Sequence, residues 1–243
     1  MKHSLLRLAA LLLLSLLSLQ LWFGLRIALM SVVAPQSTSF QRSEILRLAV
    51  EKHQINWSQD WVDDEAVSKN LKRAVIASED ADFVEHGGVE WDAIEKAWDK
   101  NQKAEARAQK LSSRSAKPIQ AKIAGGSTIS QQLAKNLFLS GERNFVRKGQ
   151  ELMITLMLEA LLSKQRILDV YLNNVEWGEG LFGAQAAARN YFHVNAAQLT
   201  PNQAARLAVM LPAPKRFEKR PASPYVLGRA ATIEARMPAV ELP

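Results

Sequence analysis

Leu8 to Leu25 is an 18-residue run without a formal charge, and no other stretch constrains this chain as strongly. As a helix it is about 27 Å long, close to the hydrocarbon thickness of a bilayer. Arg26 interrupts the run, but Ile27 to Val33 is apolar again, and an arginine near a helix end can extend its guanidinium to the interface. Lys2 and Arg7 precede the run, which favours a cytoplasmic N-terminus, and Trp22 and Phe23 fall where an aromatic belt lies on the far side. A cleaved signal peptide is the competing reading. Its apolar core is normally only about 7–15 residues, and Ala34-Pro35 is a poor cleavage junction. The expectation is a single uncleaved anchor over 1–34, followed by a linker and membrane-proximal segment over 35–62.

No second apolar run of that length follows, so the rest is expected outside the cytoplasm as one soluble domain over 63–212, with a tail at 213–243. With 48% hydrophobic residues and six Trp, that domain can bury a substantial core. Cysteine is absent, which excludes disulfides and thiolate metal sites. His3, His53, His86 and His193 are scattered and form no zinc-binding pair. The net charge of +7 is uneven: Lys96 to Lys122 carries eight Lys/Arg against Asp99 and Glu105. Aromatics are not regularly interleaved there, and the anchor holds the domain away from the cytoplasm, so nucleic acid is not expected. Attraction to anionic head groups or an anionic substrate, and a plain solvated loop, both remain open.

Along the soluble part the pattern is almost wholly helical, and alternating strand patterns are nearly absent. Pro35 to Phe40 reads as a Ser/Thr-rich exit linker. Asp63 or Asp64 can cap a helix carrying Val67, Leu71, Ala74 and Val75 up to Glu79. A short helix is expected over Trp91 to Trp98, and loop at Ser112 to Pro118. Helices follow after Ser127, from about Asn144 to Leu162, and up to Asn173-Asn174, with a Ser140-Gly141 break between the first two. Gly178, Gly180 and Gly183 suggest a turn before a helix over Ala184 to Phe192, and Thr200-Pro201 starts another through Leu211. The proline-bearing tail after Pro212 is expected to be extended or poorly ordered.

Chemistry concentrates in GGSTISQQLAKNLF, Gly125 to Phe138. Thr128, Gln132 and Lys135 fall at i, i+4 and i+7 on one helix face, beside an apolar stripe of Ile129, Leu133 and Leu137. Free N–H groups at a glycine-opened helix start, with Lys135 further along, would suit a diphosphate. An ordinary capped helix reads the same way locally. Two carboxylates differ in setting. Glu151 has Arg147 at i−4 and Lys148 at i−3, cations that favour its ionised form, whereas Glu79 sits beside Asp80 and near Phe83, which should raise its pKa. Such a divergence is expected where one carboxylate accepts a proton and the other is a fixed charge. A surface ion pair and a solvated helix end are the plainer alternatives.

IASEDADFVEHGGVEW, GGSTISQQLAKNLF, RKGQELMITLMLE, and KQRILDVYLNNVEWG with GLFGAQAAARNYF together resemble the peptidoglycan glycosyltransferases of glycosyltransferase family fifty-one. The likeness is greatest to its monofunctional biosynthetic transglycosylases and spans about Ser37 to Leu211. The resemblance implies a mainly α fold, a lysozyme-like helical head with a smaller membrane-proximal jaw, here inserted at about 83–124. It implies polymerisation of lipid II into glycan strands by an inner-membrane, single-pass protein with its catalytic domain in the periplasm. By matching position, Glu79 would be the catalytic base and Glu151 the second essential carboxylate. Asp80, Phe83, His86, Thr128, Gln132, Lys135, Asn136, Arg147 and Lys148 would bind substrate. A divalent cation, Mg²⁺ or Mn²⁺, is implied near the diphosphate, and division or elongation proteins are candidate partners.

Glu90 stands where the family usually has Asp, the 104–124 stretch looks longer and more basic than usual, and Arg26 is unusual in an anchor. No S-x-x-K, S-D-N or K-T-G occurs, so transpeptidase activity is not expected. In the implied reaction the diphosphate needs charge neutralisation more than a proton, and the acceptor hydroxyl needs a base. A lytic enzyme of similar fold would instead use Glu79 as a general acid and need no diphosphate site. A membrane-tethered scaffold would leave the clustered polar motifs without work.

Overall fold

The computed structural model describes residues 2–112, 126–139 and 144–243. The described residues form eleven α-helices and three very short strands, with four short 3₁₀ or π-helical turns between or after them. The fold is mainly α.

Helix α1, Lys2–Leu29, is long and apolar enough to cross a membrane, and leucines such as Leu5, Leu11 and Leu12 are exposed along it. It fits a single-pass anchor. Its last turns are not free, because Phe23, Ile27 and Met30 are buried in the domain core. Trp22, Phe23 and Phe138 meet edge-on, with centroids 5.0–6.3 Å apart, and the Arg26 guanidinium lies 5.2 Å from the Trp22 ring and 5.8 Å from Phe138. A guanidinium over aromatic faces is how this apolar helix accommodates an arginine. Gln20 and Gln150 exchange side-chain hydrogen bonds of 2.9 and 3.1 Å, and Arg166 donates to the Met30 carbonyl at 2.7 Å, capping the helix end.

The segment expected as a linker instead contains helix α2, Ser39–Arg47, opened by a reciprocal cap between Thr38 and Gln41. Helix α3, Lys69–Glu79, is capped by Ser68, whose Oγ accepts from Asn70 N–H at 3.1 Å. Asp63 and Asp64 are therefore not its cap; Asp64 opens a short 3₁₀ turn and pairs with Lys72 at 2.7 Å. Helix α4 is one continuous helix over Trp91–Ser112, longer than expected. Lys100, Lys103, Arg107 and Lys110 form exposed helix positions rather than loop, and Arg114, Lys117 and Lys122 lie outside the described residues, as does the Ser140-Gly141 break.

Helix α5, Ile129–Phe138, packs on α2 and on α6, Phe145–Leu161, which carries α1 along its side. Helix α7, Lys164–Asn174, is buried along its whole second half. Next comes a small sheet that no alternation announces, since its strands have two or three residues: β1 (Ser58–Gln59), β2 (Glu176–Gly178) and β3 (Leu181–Phe182). Strand β3 is central, parallel to β1 and antiparallel to β2. The β2–β3 turn needs glycine: Gly180 has φ +71°, and a Cβ there would lie 2.0 Å from the Asn56 carbonyl oxygen.

Helix α8, Ala184–Phe192, leads to α9, Pro201–Met210, whose Ala204, Ala205 and Ala208 are fully buried and let α3 approach closely. Beyond Pro212 the chain is not extended. Pro214–Phe217 forms α10, and Pro224–Arg236 forms α11, which packs on α9 and α3 through Val226, Ala230 and Ile233. Pro214 and Pro224 stand at helix starts, where a missing N–H costs nothing. The tail belongs to the core.

Candidate active site

Helices α2, α5 and α6, strand β2 and the start of α10 enclose a cavity of about 430 Å³. Helix α5 presents Gln132, Lys135 and Asn136 to it, because Ile129, Leu133 and Leu137 hold the opposite face in the core. Helix α6 presents Arg147, Lys148 and Glu151 from its first two turns. Three cations and two carboxylates, Glu151 and Glu176, are the charged groups on the wall.

Glu151 is buried, with Arg147 Nη1 at 2.8 Å from Oε2 and Lys148 Nζ on Oε1. The spacing does this, since i+3 and i+4 neighbours share a helix face, and Asn144 fixes the start by accepting Arg147 N–H at 2.7 Å. One carboxylate thus holds two cations in place at the cavity.

Glu79, the last residue of α3, has neutral partners. Gln132 Nε2 donates to its Oε2 at 2.9 Å and Ser78 Oγ to its Oε1 at 3.4 Å, while Tyr171 OH donates to Gln132 Oε1 at 3.0 Å. Burial raises the Glu79 pKa above its ordinary 4.5; the Gln132 and Ser78 hydrogen bonds oppose this, and the Asp80 charge adds to it. Tyr171 is fully buried and its pKa rises well above 10 for the same reason, so its hydroxyl stays protonated and orients the Gln132 amide. Glu79 is not itself on the cavity wall; Gln132 joins it to that wall.

The residues between α3 and α5 make this meeting possible. Asp80 accepts the Ile129 N–H at 2.9 Å and pairs with His86 Nε2 at 2.7 Å, tying the end of α3 to the start of α5. Thr128 Oγ1 donates to the Gly88 carbonyl at 2.7 Å and accepts Gln131 N–H at 3.1 Å. Gly88 has φ +88°, and a Cβ there would meet Glu159 Cγ at 2.7 Å. Phe83 is fully buried, and Lys164 lies 4.6 Å over its ring while donating to the His86 carbonyl at 2.6 Å. Asp80, Phe83, His86 and Thr128 therefore stand away from the cavity wall and hold the segments that build it. The first N–H of α5 goes to Asp80 and the third to Thr128, so this helix start is not the open anion site that its glycines suggested. Cationic side chains supply the attraction instead.

Glu176, Tyr171 and Phe40 were not legible as site residues. Glu176 lines the cavity from β2 with Lys215 Nζ 3.6 Å away. Burial raises its pKa to about 7, with Lys215 opposing and the Glu44 and Glu218 charges adding.

Structure and site together define a mainly helical protein with one N-terminal helix long and apolar enough to span a membrane, a cationic cleft and an adjoining buried carboxylate. The chain belongs to the family whose model is described as Transglycosylase, which matches residues 49–238 and so runs through α11. It is similar to proteins named biosynthetic peptidoglycan transglycosylase. The relative from Paraburkholderia xenovorans (strain LB400) is 48% identical over 228 residues, 93% of this chain and 88% of its own. The Burkholderia thailandensis relative is 50% identical over 227 residues, 93% and 83% of the two chains. That of Bordetella pertussis is 46% identical over 224 residues, 92% and 88%.

Proposed function

We propose that this chain polymerises lipid II into linear β-1,4 glycan strands, by one inverting displacement, from the outer face of the inner membrane. The observation that carries the reading is the joining, through Gln132, of a buried carboxylate with a raised pKa to a wall of three cations. Glu79 is the base: in its ionised form it takes the proton of the acceptor 4-hydroxyl as that oxygen attacks the anomeric carbon, and polyprenyl diphosphate leaves from the opposite face. Lys135, Arg147 and Lys148 stabilise the charge gathering on the diphosphate, and Glu151 fixes where two of them stand. Helix α1, docked on α6, holds the cleft next to a lipid-borne substrate and raises its effective concentration. The sequence holds none of the S-x-x-K, S-D-N or K-T-G motifs, and transpeptidation is not part of this reading.

The resemblance implies a divalent cation. Among the described residues Asp80, His86 and Glu90 come close enough together to share one. Both Asp80 oxygens are already engaged, by His86 and Ile129, and His86 Nδ1 accepts the Gly88 N–H at 3.0 Å. Glu151 is likewise occupied by Arg147 and Lys148. These donor sets do not fit a resident ion, so a cation that takes part would arrive on the substrate diphosphate.

The test is purified full-length chain with lipid II, its products resolved by length. Long strands with release of polyprenyl diphosphate support the reading. Cleavage of preformed glycan without polymerisation would replace it with a lytic one.

A further inference from the structure

Glu176 lacks what Glu151, the other carboxylate on the cavity wall, has: a hydrogen-bonding partner for each oxygen. Its side chain is 8% exposed, it lies on the cavity wall, and Oε1 is buried with no hydrogen-bond partner. Lys215 Nζ forms an ion pair with Oε1 at 3.6 Å, beyond hydrogen-bond distance, while it donates to Glu44 Oε1 at 2.5 Å. Glu44 is in turn held by Arg47, at 2.6 and 3.0 Å. Lys215 thus offsets the Glu176 charge from 3.6 Å without a hydrogen bond to Oε1. A buried polar group without a partner is costly unless something in the working protein supplies one.

We propose that Glu176, braced by Lys215, is a substrate-positioning residue that accepts a hydrogen bond from a hydroxyl or amide N–H on the sugars of the glycan substrate. This rests on the polymerase reading of the same cavity. The cations of α5 and α6 take the diphosphate, which leaves the sugars as the part of the substrate with donors to offer. Glu176 sits immediately after Val175, a second lining residue, on a strand held by β3, so its backbone is fixed on a rigid element. Lys215 from α10, Glu44 from α2, Glu218 just beyond α10 and Tyr191 from α8 surround it. With a pKa of about 7, Glu176 accepts as a carboxylate on the alkaline side and is half protonated near neutrality. Sugar binding through it therefore weakens as pH falls below about 7.

The experiment measures kcat and KM for lipid II polymerisation by the full chain carrying Glu176→Gln or Glu176→Ala, between pH 5.5 and 9, with Tm alongside. Glu176→Ala is expected to raise KM about tenfold with a smaller change in kcat. Glu176→Gln is expected to raise it less and to remove the inflection of KM near pH 7. Tm should hold or rise, since a buried oxygen without a hydrogen bond is being removed and Lys215 keeps its pairing with Glu44. If either variant does not fold, Lys215→Met provides the same readout: without the brace, the inflection should move to higher pH. KM values within twofold of the parent at every pH would overturn the proposal. That result beside a parent that polymerises normally sinks Glu176 alone; a parent that makes no polymer sinks the reading beneath it.

Discussion

Glu79 and Glu151 are both carboxylates on helices next to one cavity, yet their surroundings differ in kind. Glu79 is met by an amide and a hydroxyl, neutral dipoles that solvate it without fixing its charge. Glu151 is gripped by two cations. Burial with neutral partners leaves a carboxylate able to take a proton; burial with cations makes it a fixed charge that holds those cations for something else. The difference comes from how each is reached. Glu151's partners are one turn away on its own helix, whereas Glu79's amide partner, Gln132, comes from α5, placed by the Asp80 and Thr128 hydrogen bonds.

The largest effect should come from stripping the cationic side. Arg147→Ala with Lys148→Ala leaves Glu151 buried and unpaired and removes charge from the proposed diphosphate site. kcat/KM for polymerisation should fall by about 10²–10³-fold, on the order of 3–4 kcal/mol. Glu151→Gln should raise KM as well as lower kcat, because freed cations no longer meet the diphosphate in one geometry. Near-normal activity in either variant would break the contrast.

On the other side, Gln132→Met should cost about tenfold and act through Glu79. The Gln132 hydrogen bond lowers the Glu79 pKa, so its loss raises that pKa further. A base works only when ionised, and the acidic limb of the pH–rate profile should move to higher pH. A limb that stays put would mean that Glu79 is not the titrating group.

The smallest effect concerns the anchor. Gln20→Leu removes the exchange with Gln150, the neighbour of Glu151, and such pairs in membranes contribute about 0.6 kcal/mol. A roughly threefold fall in polymerisation in vesicles is expected, with no change in the pH profile.

Much of this was legible in the sequence because it is written at short range. The Arg147-Lys148-Glu151 cluster needs only helical spacing, the start of α9 needs only Thr200-Pro201, and the anchor needs only length. What was missed depends on partners far along the chain. Nothing near Thr128 reveals that its hydroxyl goes to Gly88, or that Asp80 takes the first N–H of α5. Nothing near Glu176 announces Lys215 and Glu44. The proline-bearing tail reads as extended or poorly ordered, although the same residue type opens helices when a cap such as Ser223 precedes it. The sheet escaped because two-residue strands carry no alternation.

The central claim is that Glu79 takes the acceptor's proton and does not hold the substrate. Glu79→Gln keeps the shape of the side chain but removes the base, and lipid II binding and polymerisation are to be measured on the same preparation. Polymerisation should fall by about 10²-fold or more with binding retained. Near-normal polymerisation, or loss of binding in step with loss of activity, would contradict the account.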